Sequence, residues 1–135
     1  MTAALANLCR RVLVVDDHDH CRELFAVLAA AAGCVVREAR TGGEALAAAV
    51  QFLPDVVLLD IGLPDMSGYA VARALRSDPA CADVFIAALT GHGMSSDRQQ
   101  AAGVGIDMFL VKPVGWSTLH AALSGVRSGK STALA

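Results

Sequence analysis

Four short apolar segments of this sequence each end in a side chain of a type used in catalysis or metal binding. Asp16 and Asp17 follow Val-Leu-Val-Val, and Asp60 follows Val-Val-Leu-Leu. Thr90 follows Ala-Ala-Leu, and Lys112 follows Phe-Leu-Val. An acid that closes a buried strand, with glycine and proline turning the chain directly after it, is poorly explained by packing. We therefore interpret Asp60 as a reactive carboxylate that the other strand ends assist.

Three carboxylates brought together need a cation to offset their repulsion. At ~4 to 6 Å, each pair repels by a few kcal/mol at an effective dielectric constant of about 20. Ligands that are all oxygen atoms suit Mg²⁺. Lys112 supplies a second positive charge and Thr90 a hydroxyl donor, which together would stabilise the oxygens of a phosphoryl group in transfer. Asp60 stands alone at the end of its strand and is the candidate nucleophile.

Five apolar strands alternate with five helical segments along the chain. The strands are predicted at residues 10–15, 34–39, 55–60, 84–89 and 106–111, and the helices at about 19–32, 41–52, 67–76, 95–102 and 116–126. Gly33 is predicted to end the first helix, and Thr41 and Ser67 are the predicted N-caps of the second and third. This alternation predicts an α/β fold, a doubly wound five-stranded parallel sheet covered on both faces. Both common strand orders fit the spacing. We choose 2-1-3-4-5, because it makes the first and third strands neighbours and brings Asp16, Asp17 and Asp60 to one edge.

Composition narrows the class of protein. The 135 residues fit one domain with one core, and 55% apolar but only 4% aromatic residues favour helices packed on a sheet. A net charge of −2 indicates neither direct nucleic-acid binding nor binding to an anionic membrane. No apolar run approaches the ~18 residues that span a bilayer, and no signal peptide is visible. We expect a soluble, cytoplasmic chain.

The remaining cysteine, histidine and glycine patterns do not indicate further sites. His18 and His20 lie beside the acids, but a loop or helix-cap role is the better interpretation because no further soft ligand is near. Segment 129–132, Gly-Lys-Ser-Thr, resembles the end of a P-loop, yet Ser124 replaces its first glycine. Asp65 and Asp107 are expected to be solvated. Four widely spaced cysteines without a Cys-x-x-Cys pair favour reduced thiols: Cys9, Cys21, Cys34 and Cys81.

The ordered motifs resemble the receiver domains of two-component response regulators. The matching segments are Val-Leu-Val-Val-Asp-Asp, Asp-Val-Val-Leu-Leu-Asp-Ile-Gly-Leu-Pro-Asp-Met-Ser-Gly-Tyr, Ala-Ala-Leu-Thr-Gly and Phe-Leu-Val-Lys-Pro. The likeness covers about residues 10–127, preceded by a lead-in at 1–9 and followed by a tail at 128–135. It implies the flavodoxin-like receiver fold.

The resemblance also implies a phosphoacceptor site. Asp60 would accept a phosphoryl group from a sensor histidine kinase or a histidine phosphotransfer protein. Mg²⁺ would be bound by Asp17, Asp60 and the backbone carbonyl of Gly62, with Asp16 holding a metal-bound water. The domain would thus be a signalling module with self-catalysed phosphorylation and dephosphorylation rather than an enzyme acting on a separate substrate.

A switch is implied by the same resemblance. Lys112 would pair with the phosphoryl oxygens, and Thr90 would move inward to bond them while Phe109 turns from outside to inside. The bond before Pro113 is expected to be cis. The face made by the fourth predicted helix, the fifth strand and the fifth helix would change, and it is a candidate surface for a downstream effector or a homodimer.

Two positions depart from the family pattern around the acceptor. Gly62, two residues after the acceptor, has no side chain over the phosphoryl group, and His92 lies two residues after the threonine. In the family these positions tune the lifetime of the aspartyl phosphate, so the sequence does not predict its hydrolysis rate. Phe109 also lacks the hydroxyl of the tyrosine found in some members.

Three other functions fit these residues less well. A phosphatase of the haloacid-dehalogenase type needs an aspartate two residues after its nucleophile, where Gly62 stands. A flavin-binding flavodoxin needs a phosphate-cradling loop after the first strand, where Asp16 and Asp17 would repel the phosphate. A scaffold independent of phosphorylation would lack the acceptor or the lysine. The chain could be a stand-alone receiver, or part of a larger regulator or a hybrid sensor histidine kinase. The sequence does not indicate which downstream process it controls.

Overall fold

The structure, a computed structural model, describes residues 10–91 and 103–125. Its strands are β1 Arg11–Val15, β2 Val35–Ala39, β3 Val56–Asp60, β4 Phe85–Thr90 and β5 Met108–Val111. Its helices in the same ranges are α1 Asp19–Ala31, α2 Gly42–Phe52, α3 Gly68–Ser77 and α4 Trp116–Ser124. Within these ranges no helix is long and apolar enough to cross a membrane.

All five strands form one parallel sheet in the order β2-β1-β3-β4-β5, which confirms the predicted topology. The register pairs Val15 with Leu59, and Asp60 with Leu89. Consequently the carboxyl ends of β1, β3 and β4 lie side by side. The acids that follow β1 therefore face the acid that ends β3.

Helices cover both faces of the sheet, because the central strands are apolar on both sides. β3 and β4 are buried throughout their length. One face packs side chains of β1, β3 and β4 against α2 and α3, including Leu13, Leu59, Ile86, Ala49 and Val71. The other face packs the alternate residues of these strands against α1 and α4, including Val14, Leu58, Leu89, Phe25 and Leu119. Alternation along each strand thus builds two cores on one sheet.

Two predicted helix caps are confirmed at the atomic level. The Thr41 hydroxyl accepts a hydrogen bond from the Glu44 N–H at 3.0 Å, and the Ser67 hydroxyl accepts one from the Ala70 N–H at 3.1 Å. Each bond satisfies one of the free N–H groups at a helix start. Gly33, predicted at the end of α1, has a φ of 92°, which is the left-handed conformation that glycine adopts easily.

Some expectations need correction. The fifth strand begins at Met108 rather than at residue 106, and the fourth spans Phe85–Thr90 rather than 84–89. Asp107 is not solvated, because its side chain is only 13% exposed and pairs with Arg76 at 2.8 Å. The predicted helix at 95–102, together with His92, lies outside the described residues, as do residues 1–9 and 126–135.

Candidate functional site

The predicted site residues meet at the carboxyl edge of the sheet. Asp16, directly after β1, is completely buried, and Asp60 at the end of β3 is 6% exposed. Lys112, directly after β5, reaches across the edge to place its Nζ 2.9 Å from Asp16 Oδ2 and 3.5 Å from Asp60 Oδ2. The Lys112–Pro113 peptide bond is cis, as expected. Two acids and a lysine that are far apart in sequence thus share one small volume.

This arrangement gives the two buried acids different proton affinities. Burial would raise the pKa of Asp16, but the His18 N–H and the Lys112 ammonium bond to it and lower the pKa below its usual value. Burial raises the pKa of Asp60, and Asp16 adds to the shift while the Gly62 N–H opposes it. Asp16 is therefore the acid already paired with Lys112. Asp60 is the acid that gains most from a new cationic partner.

Burial would lower the pKa of Lys112, but the hydrogen bond to Asp16 and the charge of Asp60 raise the pKa above its usual value. The amine therefore stays protonated at neutral pH. A fixed positive charge beside Asp60 is what an incoming anionic group needs.

The loop after β3 holds the Asp60 carboxylate in place. Asp60 Oδ1 accepts a hydrogen bond from the Gly62 N–H at 2.9 Å, and the Gly68 N–H donates to the Ile61 carbonyl at 2.8 Å. A Cβ on Gly68 would lie 2.7 Å from the Asp60 carbonyl oxygen and 2.7 Å from Ile61 Cα, so only glycine fits this close approach. A Cβ on Gly62 would meet only Asp60 Oδ1, at 3.9 Å, so this position is not crowded.

Asp65 has a role that sequence reasoning missed. Its carboxylate accepts hydrogen bonds from the N–H groups of Gly42, at 2.8 Å, and Gly43, at 2.9 Å, in the first turn of α2. These backbone bonds lower the pKa of Asp65 below its usual value. The contact ties the loop after Asp60 to a neighbouring helix. A helix start always offers free N–H groups, but its partner from another segment is not visible in the sequence.

Arg22 of α1 is a second residue that the sequence analysis overlooked. Its side chain is 7% exposed and bonds to Glu38 and Asp19, each at 2.9 Å. It also donates to the Asp16 backbone carbonyl at 3.2 Å, which supports the chain at the β1 end. The available signal was helical spacing, which places Arg22 on the same face of α1 as the buried residues Phe25 and Ala29.

Asp17 and His18 complete the acidic cluster. Of the described residues, none forms a hydrogen bond with Asp17 Oδ1, although this atom is buried. Single ligand atoms of Asp16, Asp17, His18 and Asp60 lie within 4.8 Å of one another. A buried carboxylate oxygen without a donor, in a group of mutually repelling acids, fits a site for a divalent cation. The residues present are thus compatible with the Mg²⁺ binding expected from the resemblance.

Thr90 and Phe109 lie beside this cluster rather than in it. Thr90 is 1% exposed, and its hydroxyl donates to the Leu110 carbonyl of β5 at 3.4 Å, a long hydrogen bond. Phe109 is partly buried and packs against the core beneath α2 and α3. The structure therefore brings together the acids and Lys112, and it places Thr90 at the end of the adjacent strand with its hydroxyl bonded to β5.

In a comparison with family models, residues 12–124 match the response regulator receiver domain. The chain belongs to this family. The match contains all four described helices. It also contains the whole sheet except Arg11, the first residue of β1. The receiver domain is the signalling domain of two-component response regulators.

Individual relatives agree with this assignment. The receiver domain is 37% identical over 117 residues to the phosphate regulon transcriptional regulatory protein PhoB of Pseudomonas aeruginosa, covering 87% of this chain and 51% of PhoB. It is 31% identical to the polar-differentiation response regulator DivK of Brucella ovis, covering 79% of this chain and 87% of DivK. The chain spans about half the length of the transcriptional regulators that it matches.

Solved structures show the same fold. The chemotaxis response regulator CheY4 of Vibrio cholerae superposes with a TM-score of 0.79 at 32% identity, covering 85% of this chain and 96% of CheY4. This similarity supports the sheet order and the placement of the helices described above.

Proposed function

We propose that this receiver domain accepts a phosphoryl group on Asp60 from a sensor histidine kinase or a histidine phosphotransfer protein. The observation that carries the proposal is the setting of Asp60. It is a nearly buried carboxylate with a raised pKa, held by the Gly62 N–H, with the Lys112 ammonium 3.5 Å away and no side chain on Gly62 beside it. Packing does not explain such an acid, because an apolar side chain at this position would make the fold more stable.

In the proposed reaction, a carboxylate oxygen of Asp60 forms a bond to phosphorus while the bond from phosphorus to the donor imidazole nitrogen breaks. The imidazole keeps the electron pair of the broken bond. Lys112 is placed to bind a phosphoryl oxygen, and the Gly62 N–H holds the attacking carboxylate in position. Transfer of this kind depends on positioning and charge stabilisation, which this edge of the sheet supplies.

Mg²⁺ would be held by Asp17, Asp60 and the Gly62 carbonyl, with Asp16 acting through a metal-bound water. When bound, the ion would neutralise charge on the acids and on the incoming phosphoryl group. Support for this assignment comes from the buried Asp17 oxygen, which has no donor among the described residues, and from the raised pKa of Asp60.

The proposed response to phosphorylation is a movement of Thr90 and Phe109. The Thr90 hydroxyl donates a long hydrogen bond to the Leu110 carbonyl, at 3.4 Å. Exchanging it for a bond to a charged phosphoryl oxygen would give a stronger hydrogen bond. Near the end of β5, Val111 is 42% exposed and Trp116 at the start of α4 is 48% exposed. We propose this surface, together with segment 95–102, as the contact for a downstream effector or a homodimer in the cytoplasm.

Phosphorylation with a small donor tests the function. Acetyl phosphate with Mg²⁺ should add one phosphoryl group to the chain, seen as a single mass increase in intact mass spectrometry. Asp60→Asn should abolish it, whereas Asp83→Asn, an exposed aspartate before β4 at the opposite end of the sheet, should not. Labelling of the Asp60→Asn variant at another residue would overturn the assignment. Phosphotransfer from candidate histidine kinases would then identify the natural donor.

A further inference from the structure

His18 is the one member of the acidic cluster, among the described residues, whose ligand atom is a nitrogen. It follows Asp17 and occupies the N-cap position of α1 without making a side-chain cap hydrogen bond. Its side chain is 68% exposed, so burial does not account for its position. Its imidazole Nδ1 lies within hydrogen-bond distance of Asp16 Oδ1, at 3.3 Å, and this contact holds the ring at the exposed rim of the acids.

The distances fit a shared ion. His18 Nδ1 lies 3.4 Å from Asp17 Oδ1 and 3.9 Å from Asp60 Oδ2, the two carboxylates assigned above as direct ligands. Atoms bound about 2.1 Å from an octahedral ion are about 3.0 Å apart when adjacent and about 4.2 Å apart when opposite. The first separation is within about 0.4 Å of the adjacent value and the second within about 0.3 Å of the opposite value. The imidazole nitrogen therefore lies where a further ligand of the same ion would lie.

We propose that His18 is a metal ligand that shifts the preference of this site from Mg²⁺ towards transition-metal ions such as Mn²⁺ and Co²⁺. The inference rests on the divalent-cation site of the proposed function and adds to it a nitrogen ligand. Mg²⁺ prefers oxygen ligands, whereas an imidazole nitrogen strengthens binding along the series from Mn²⁺ to Co²⁺. An exposed histidine at the mouth of the site can bind without a large rearrangement of the core.

The variant His18→Asn tests the ligand, since asparagine keeps an oxygen ligand and is a favourable N-cap residue. The matched control is His20→Asn, because His20 is also exposed, lies in the first turn of α1 and is outside the cluster. Titration calorimetry of the metal-free protein should show His18→Asn lowering Co²⁺ affinity about tenfold or more, with Mg²⁺ affinity changed less than about threefold. The His20→Asn variant should match the wild type for both ions.

Pulsed electron paramagnetic resonance of bound Mn²⁺ gives a direct readout. The wild type and His20→Asn should show the ¹⁴N modulation of a coordinated imidazole, and His18→Asn should lose it. Absence of the modulation in the wild type, its persistence in His18→Asn, or an equal loss of Co²⁺ and Mg²⁺ affinity would overturn the proposal. If the wild type is labelled on Asp60 with Mg²⁺ but lacks the modulation, only this inference fails. If Asp60 is not labelled, the proposed function fails instead.

Discussion

At the scale of single residues, the site is built from charges that the fold keeps together against their repulsion. Asp16 is compensated by Lys112 at 2.9 Å, but Asp60 is not compensated to the same degree, as its raised pKa indicates. An ionised Asp60 therefore reduces the stability of the folded domain. A group retained in spite of such a penalty is typical of functional sites.

Replacing the acceptor should consequently stabilise the fold. Because the pKa of Asp60 is raised in the folded state, its ionised form destabilises that state at pH values above the folded pKa, and the penalty disappears as the pH falls through it. Urea denaturation at pH 7 without divalent ions should give a higher midpoint for Asp60→Asn than for the wild type. The difference should shrink towards acidic pH. An equal or lower midpoint at pH 7 would contradict the electrostatic account.

Asp16 is expected to act in the opposite direction. Since its pKa is lowered in the folded state, its contribution to stability is present above the unfolded value of 3.8 and is lost as the pH falls through the folded value. Because the contact with Asp60 contributes to the lowered pKa of Asp16, Asp60→Asn also changes this contribution, and the two proteins are best compared near neutral pH, where Asp16 is ionised in both.

At the scale of elements, the loop after β3 is positioned by close backbone packing. Gly68, at the start of α3, lies where a Cβ would be 2.7 Å from two backbone atoms next to the acceptor. These atoms cannot move aside as a flexible side chain could. The glycine therefore links the start of α3 to the position of Asp60.

Gly68→Ala should both weaken the fold and displace the acceptor. We expect a loss of about 1–3 kcal/mol in the free energy of unfolding, as for overpacking of a tight contact, measured by urea denaturation. Phosphorylation by acetyl phosphate should be slower. Gly62→Ala is the control for the stability measurement, because its Cβ would meet nothing closer than 3.9 Å. Normal stability of Gly68→Ala would show that the loop can relax.

A second element-scale contact joins α3 to the opposite end of β4 and the segment before β5. The Arg76 guanidinium donates to the carbonyls of Ala82, Val84 and Gly105 and pairs with Asp107 at 2.8 Å. Asp107 Oδ2 also accepts from the Ile86 N–H at 2.9 Å. One arginine thus satisfies backbone carbonyls of two segments, before β4 and before β5.

Arg76→Ala should lower the free energy of unfolding by about 3 kcal/mol, because it removes the cationic partner of Asp107 and the donor of several backbone carbonyls. Thermal or urea unfolding measures the change. Arg73→Ala serves as the control on the same helix, since Arg73 is exposed. If both variants lose the same stability, the network does not carry the effect.

At the scale of the whole molecule, stability is concentrated in the centre of the sheet. β3 is fully buried and paired with strands on both sides, whereas β2 lies at the edge with a largely exposed pattern. The functional acids therefore stand at the ends of the most protected strands. We therefore expect the backbone around Asp60 to open less often than the backbone of β2.

Amide hydrogen exchange should reflect this distribution. Backbone amides of β3 and β4 are expected to exchange most slowly, close to the rate set by global unfolding, and those of β2 several times faster. Exchange followed by mass spectrometry or NMR measures the order. Equal protection of β2 and β3 would contradict the proposed concentration of stability.

Much of this protein could be predicted from its sequence, because local chemistry determines it. Apolar runs specify the strands, Thr41 and Ser67 cap their helices as expected, and acids at strand ends specify the character of the site. The strand order was chosen so that the acids would meet, and the sheet confirms it.

Only the tertiary structure decided which partner each side chain has. Asp107, expected to be solvated, is largely buried and pairs with Arg76, whereas Asp65 is exposed as expected but also accepts hydrogen bonds from the first N–H groups of α2. The approach of His18 to the acids likewise depends on the chain path after β1. Such contacts join segments far apart in sequence, and a residue's type and neighbours do not specify which distant backbone groups fold against it.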